Sequence, residues 1–228
     1  MEKEASEKRI LKIIDEFETK AVIFDLDGTL IDNNSFHRKT WEAYLEKMGK
    51  KISEEEFNAH MNGRTNKDAI EYIFGRKMSE AESMKYTLEK EALYREIYQP
   101  YIKPIPGLIA LLEILHSKNI PMAIATSGIQ PNIDFMFEHI PIKKYFKEVV
   151  NSSHIKKGKP DPEIYLKTAS LLHVSPKNCL VFEDAVVGIK AAKAAGMNVI
   201  AVATTHPKNE LKEADMIVSD YEAFRYMK

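Results

Sequence analysis

The sequence predicts an α/β protein: a doubly wound (Rossmann-like) parallel sheet core with an inserted all-α helical cap after its first strand. Three patterns carry that prediction. An apolar run, Ala21-Val22-Ile23-Phe24, leads straight into Asp25-Leu26-Asp27-Gly28, which reads as a strand buried on both faces with polar residues at its carboxyl end. Residues from about 34 to about 100 carry helical signals and no β signal. From Gly107 onward, short apolar runs alternate with helical stretches, the pattern of βαβ units. The expected division is an N-terminal amphipathic helix over 1–19, a core over 20–32 and 101–228, and a cap over 33–100.

Each element has its own signal. Ile10, Leu11, Ile13, Ile14 and Phe17 are spaced among charges as one face of a helix, read as packing on the domain surface in preference to dimerisation. After the first strand, Asp32-Asn33-Asn34-Ser35 offers N-caps for a helix stopping at Gly49. Ser53 to Glu56 and Ser79 to Glu82 are capping-box patterns. Thr65 is the expected cap of a helix ending near Gly75, and the helix opened by Ser79 runs to about Tyr98. Pro100, Pro104 and Pro106 then stiffen the passage back to the core. Pro121–Ala125, Phe146–Val150, Cys179–Phe182, Val199–Ala203 and Met216–Val218 read as strands. Asp161 is the expected cap of a helix with Pro162 at its first position, and Ala185–Ala195 is a helix closed by Gly196.

Composition narrows the class. Lys+Arg is 33 and Asp+Glu 34, a formal net charge of −1, which argues against nucleic-acid binding by bulk charge. No apolar run approaches the ~20 residues of a membrane span, and the charged stretch Met1–Glu18 does not resemble a signal peptide. The single Cys179 lies in an apolar run, which fits a buried thiol in a reducing, cytoplasmic compartment. A monomer or weak homodimer is expected.

The chemistry gathers at strand ends. Asp25 and Asp27 follow the first strand, Thr126 and Ser127 follow Met122–Ala125, and Glu183 and Asp184 follow Leu180–Phe182. Lys159 precedes a helix in Lys157-Gly158-Lys159-Pro160-Asp161-Pro162. A parallel sheet brings such ends to one edge. Carboxylates, an ammonium and a hydroxyl collected there suit phosphoryl transfer with a hard cation such as Mg²⁺. Taken singly, each residue has a plainer role: Asp-x-Asp-Gly as a turn, Thr126 as a cap, Lys159 as a solvated lysine, Glu183-Asp184 as a helix cap.

In order along the chain, Asp25-Leu26-Asp27-Gly28-Thr29, Thr126, Lys159 in Gly-Lys-Pro-Asp-Pro, and Glu183-Asp184-Ala185-x-x-Gly188 resemble the motifs of the haloacid dehalogenase superfamily. The match spans about residues 20 to 220 and is nearest the β-phosphoglucomutase-like subgroup with a helical cap. The resemblance implies Asp25 as nucleophile forming an aspartyl-phosphate and Asp27 as general acid and base. It implies Mg²⁺ on Asp25, the Asp27 carbonyl and Asp184, with Glu183 through water, and a phosphoryl group held by Thr126, Ser127 and Lys159. The acid at Asp27 argues against dehalogenase chemistry.

For the cap, the resemblance implies substrate contacts at His37, twelve positions after Asp25, and in Gly63-Arg64-Thr65-Asn66-Lys67-Asp68. Here the chain departs from the mutase. Asn66 stands where the mutase has its phosphate-binding arginine, with Arg64 and Lys67 nearby, and Gly128-Ile129-Gln130 replaces a polar segment. A mutase must hold a second phosphate, so the expectation is a phosphatase of a small phosphorylated metabolite, with β-phosphoglucomutase and pyrophosphatase as alternatives. Phosphonate cleavage is disfavoured for want of an obvious cap lysine, Lys39 and Lys47 being the candidates. A phospho-receiver is opposed by the helical insertion and by Asp-x-Asp spacing; a silent binding domain is opposed by the complete motif set.

Overall fold

In a computed structural model that describes residues 2–61 and 65–226, the chain forms two compact units, one over 1–32 and 102–228, the other over 33–101. The first unit is built on six parallel strands: β1 (Ala21–Phe24), β2 (Met122–Ala125), β3 (Phe146–Val150), β4 (Cys179–Glu183), β5 (Asn198–Val202) and β6 (Met216–Val218). Their order is β3-β2-β1-β4-β5-β6, with β1 in the centre and every neighbouring pair parallel. Chain direction across the sheet reverses between β1 and β4, so the crevice beyond their carboxyl ends is the topological switch point.

Helices cover both faces because the central strands are apolar on both. Ala21 and Ile23, with Cys179 and Val181, join Ile164, Tyr165 and Ala169 of α8 (Glu163–Leu171) and Ile189, Ala191 and Ala192 of α9 (Val186–Ala194) in one buried cluster. On the other side Leu180 and Phe182 line an apolar seam with Ile10, Ile13 and Ile14 of α1 (Glu2–Glu16) and Leu111 and Leu115 of α6 (Leu108–Ser117). The N-terminal amphipathic stretch thus packs its stripe on the sheet unit. Phe24 stacks on Phe182 across the central pair, centroids 5.0 Å apart. The helix after β2 is α7 (Gln130–His139).

The second unit holds α2 (Asn34–Lys47), α3 (Glu54–His60), α4 (Asn66–Phe74) and α5 (Glu80–Tyr98). Trp41, Tyr44, Leu45, Phe57, Ile70 and Ile73 are among its buried core, so Trp41 is a packing residue. Ser53 and Glu56 form the reciprocal box, Thr65 accepts from the Asp68 amide, and Gly75 ends α4 in the left-handed region with φ 66°. Three local expectations need correction. Ser79 accepts from the Glu82 amide, but the Glu82 carboxylate pairs with Arg76 instead of closing the box. Asn33 stands at the cap position of α2 without capping, because its amide donates to the Tyr94 hydroxyl at 2.6 Å. Pro162, not Asp161, is the cap residue of α8; the Asp161 carboxylate still accepts the Glu163 amide at 3.0 Å, two residues on.

Among the described residues no helix is long and apolar enough to cross a membrane.

Candidate active site

β1 ends at Phe24, and Asp25 is anchored by its amide to the Phe182 carbonyl at 3.0 Å. The chain then turns sharply. Gly28 has φ 71°, a left-handed conformation that a side chain would strain, and its amide bonds the Ile31 carbonyl at 2.8 Å. Thr204, just after β5, pins the same turn through a hydroxyl bond to the Gly28 carbonyl at 2.5 Å. Asp25 and Asp27 are therefore held by backbone, and the motif reads as a built turn beyond the strand.

Lys159 arrives from the loop before α8. That loop is tied down by Glu163, whose carboxylate accepts the Lys156 and Lys157 amides at 3.0 and 2.9 Å. The Lys159 side chain is only 6 % exposed. Its Nζ donates to Asp25 Oδ1 at 2.6 Å, to Glu183 Oε1 at 2.5 Å and to the Ala125 carbonyl at 3.3 Å. So residues 134 apart in sequence meet on one ammonium.

Glu183, at the end of β4, is buried among internal hydrogen-bond partners. Oε1 accepts from Lys159 and from the Tyr165 hydroxyl at 3.0 Å; Oε2 accepts from the Asp184 and Ala185 amides, each at 2.9 Å. The carboxylate thus sits at the head of α9, where backbone N–H groups and the helix dipole favour negative charge. Gly188 explains the last residue of the motif. A Cβ there would lie 1.6 Å from Glu183 Oε1, so only glycine lets the carboxylate lie against the first turn of the helix.

Asp184 is buried beside it and accepts a hydrogen bond from the Thr205 hydroxyl. One carboxylate oxygen from each of Asp25, Glu183 and Asp184 falls within 4.8 Å of the others, a group able to hold a metal ion. Burial pushes Asp25 up to about 8, with the charges of Glu183 and Asp27 adding to it and Lys159 opposing. Burial also raises Asp184 well above the usual carboxylate range, helped by Glu183 and Asp25. For Lys159 burial alone favours the neutral amine, but Asp25 and Glu183 outweigh it and keep the ammonium charged.

Thr126 is buried at the end of β2, and its hydroxyl accepts the Gly128 amide at 2.9 Å. That bond closes its own turn, yet leaves the hydroxyl proton to donate elsewhere. A Cβ on Gly128 would be 3.2 Å from Thr126 Oγ1 and 3.8 Å from Asp27 Oδ2, so Asp27 and Thr126 flank the same glycine. Asp27 is half-buried and lies outside the three-acid group; Ser127 is exposed.

The helical unit carries a second polar cluster. The His37 ring stacks on Tyr94 with centroids 4.2 Å apart, and its Nδ1 lies 3.2 Å from Lys90 Nζ. Lys90 is paired with Glu91 at 2.8 Å, and Asn66 donates to Glu91 Oε1 at 2.9 Å. His37 and Asn66 are thus brought together, whereas Lys67 is exposed. Arg64 lies outside the described residues. Lys39 and Lys47 are exposed, and the buried lysine of this unit is Lys90.

The sequence reading missed Tyr165, Thr205, Lys90 and Glu91. Thr205 lies just past the end of β5, one residue beyond Thr204, so a slightly wider strand-end rule would have contained it. Tyr165 sits on the buried face of α8 and gives no such sign.

An α/β sheet with buried carboxylates and a lysine at its switch point is a site able to take a cation and a phosphoryl group. The chain belongs to the haloacid dehalogenase-like hydrolase family, whose model matches residues 22–202. It is 32% identical over 181 residues to the fructose-1-phosphate phosphatase YqaB of Escherichia coli (strain K12), covering 79% of this chain and 95% of that protein. It is also 32% identical to the beta-phosphoglucomutase of Bacillus subtilis (strain 168), over 87% of this chain and 88% of that one. A solved family IA, variant 3 hydrolase from Entamoeba histolytica superposes with a TM-score of 0.83 at 37% identity, over 90% of this chain and 95% of that one.

Proposed function

We propose that this chain is a divalent-cation-dependent phosphatase of a small phosphorylated metabolite, a sugar phosphate or a compound like it, working through an aspartyl-phosphate on Asp25 in a reducing cytoplasm. The observation that carries the reading is Lys159 bridging Asp25 and Glu183 within the three-acid group.

Mg²⁺ fits this donor set. Asp25, Glu183 and Asp184 offer hard oxygen ligands, and one lysine does not neutralise three buried carboxylates and Asp27. Burial first, and the neighbouring carboxylates after it, raise Asp25 and Asp184, so their charged forms are costly here without a further cation. Asp25, Asp184 and the Asp27 carbonyl would hold the ion, with Glu183 behind them as the group that fixes Lys159 and the head of α9. When bound, Mg²⁺ supplies positive charge to the phosphoryl oxygens.

The chain's own residues supply the rest. A carboxylate oxygen of Asp25 attacks phosphorus, and the bond from phosphorus to the ester oxygen breaks. Asp27, protonated at that moment, gives its proton to the departing alkoxide. Lys159 and the Thr126 hydroxyl hold the phosphoryl oxygens as charge shifts among them. In the second half Asp27, now a carboxylate, takes a proton from water; the water oxygen bonds to phosphorus and the bond to Asp25 breaks.

Asn66 supports hydrolysis over mutase chemistry. It stands where the resembling mutase has a phosphate-binding arginine, and its amide is engaged by Glu91. A beta-phosphoglucomutase relative keeps the alternative in view, as does pyrophosphate hydrolysis. The test is a panel of hexose, pentose and polyol monophosphates, nucleotides and pyrophosphate, with Mg²⁺. It includes β-glucose 1-phosphate primed with glucose 1,6-bisphosphate. Phosphate release from sugar or polyol monophosphates is the expected result. Glucose 6-phosphate appearing faster than phosphate overturns the hydrolase reading.

A further inference from the structure

Tyr165 lies on α8, is fully buried, and packs among Ala21, Ile23, Ala125 and Val181. A phenylalanine would satisfy that apolar setting; a hydroxyl placed there costs free energy unless it is hydrogen-bonded. Its partner is Glu183 Oε1 at 3.0 Å, the same oxygen that Lys159 reaches at 2.5 Å. The Tyr165 ring also faces the Lys159 ammonium, 5.1 Å from its centroid, a distance at which a cation is attracted by the ring. Gly188 leaves room for the same carboxylate oxygen, which a Cβ there would meet at 1.6 Å.

We infer that Tyr165 is a positioning residue of the reaction: it aims Lys159 at the phosphoryl group by fixing Glu183 Oε1 with its hydroxyl and supporting the ammonium with its ring. The inference rests on the phosphatase reading above. Tyr165 does not touch the reacting atoms, so its effect must pass through Lys159.

The test is Tyr165→Phe in the full chain. Lysine is labelled with ¹⁵N, and the Lys159 Nζ resonance is identified by its loss in Lys159→Ala. We expect that resonance to move in Tyr165→Phe. We also expect the affinity for orthovanadate, titrated with Mg²⁺, to fall about tenfold, the lower end of what loss of an outer partner costs a site. In the Lys159→Ala background, Tyr165→Phe should cost nothing further. An unmoved Lys159 resonance with unchanged vanadate affinity overturns the inference; so does a Tyr165→Phe loss that persists in full without Lys159. If Tyr165→Phe does not fold, 4-aminophenylalanine at 165, which keeps a donor, is compared with 4-methylphenylalanine, which keeps only the bulk. Equal vanadate affinity in that pair overturns it too. A wild-type chain that binds no vanadate and hydrolyses no phosphate ester contradicts the functional reading, while the Lys159 resonance still decides the positioning role.

Discussion

Each unit of this protein buries a lysine, and the two lysines are surrounded differently. Lys159 in the sheet unit and Lys90 in the helical unit have side chains 6 % and 2 % exposed. Both pair with a buried glutamate and both lie over aromatic rings: Lys159 over Tyr165 at 5.1 Å, Lys90 over Trp41 at 5.0 Å. The difference is charge balance. Among the described residues Lys90 is paired with Glu91, Asn66 donates to the same carboxylate, and the His37 ring lies beside the ammonium. Lys159 stands among Asp25, Glu183 and Asp184, with Asp27 beyond them. Three buried carboxylates around one ammonium leave room for a further cation. Only the sheet-unit lysine, among the described residues, sits beside a group of three acids that could hold a metal ion.

That contrast is most sharply tested by breaking each cluster. Asp25→Asn should cut turnover of p-nitrophenyl phosphate by on the order of 10⁴-fold or more, the scale of losing a nucleophile. Chelation of divalent ions by EDTA should abolish it. Thermal unfolding of Asp25→Asn should remain close to wild type, because a buried acid of raised pKa has been made neutral. Retained activity in either experiment removes the nucleophile or the metal from the reading. Lys90→Ala should behave oppositely. It removes the ammonium 2.8 Å from buried Glu91, and breaking such a pair costs roughly 3–5 kcal/mol, read by urea unfolding. Lys90→Met combined with Glu91→Leu should recover most of that loss, since both charges leave together. A double variant no more stable than Lys90→Ala would mean that the pair does more than balance itself.

The same contrast shows what could be seen in sequence. The six strands, the helical insertion and the polar strand ends were legible because periodicity and strand termination are local signals. Asp25, Thr126, Glu183 and Asp184 lie where an apolar run stops, and one rule finds them all. Lys159 is on a loop 134 residues from Asp25, and only the motif pointed to it. Lys90 and Glu91 were invisible for a different reason. In α5 they sit among Lys85, Glu89, Arg95 and Glu96, and a charged pair in a charged helix looks solvated. Burial of one lysine among several is a tertiary fact. Tyr165 hid likewise, since its ring fits an apolar helix face and only its hydroxyl carries the message. The Glu183 carboxylate, expected to reach a metal through water, also accepts from four internal donors, so it braces Lys159 and the head of the following helix.

Gly188→Ala probes that brace with a smaller effect. Alanine is the better helix former by about 1 kcal/mol, so propensity alone favours the substitution. A Cβ, however, would meet Glu183 Oε1 at 1.6 Å, and the carboxylate must move. We expect activity to fall about 10- to 100-fold, as when an outer partner of a metal site is lost, with the chain still folded. Full activity would show that Glu183 has freedom the packing does not suggest.

Cys179 offers the smallest effect and the control for the others. It begins β4, the strand that ends in Glu183, and it is fully buried. Burial pushes its thiol up from its ordinary value to about 11. The thiolate is the reactive form, so at pH 8 native protein should react with a thiol reagent far more slowly than unfolded chain. Asp25→Asn and Gly188→Ala should leave that protection intact, because each alters charge or position at the carboxyl end of the sheet without opening it. Lys90→Ala decides how the two units share their stability. If Cys179 stays protected while the helical unit melts early, the charge pair stabilises its own unit alone. If Cys179 becomes reactive in step with the loss of helix, the two units unfold as one, and the balanced pair in one supports the unbalanced site in the other.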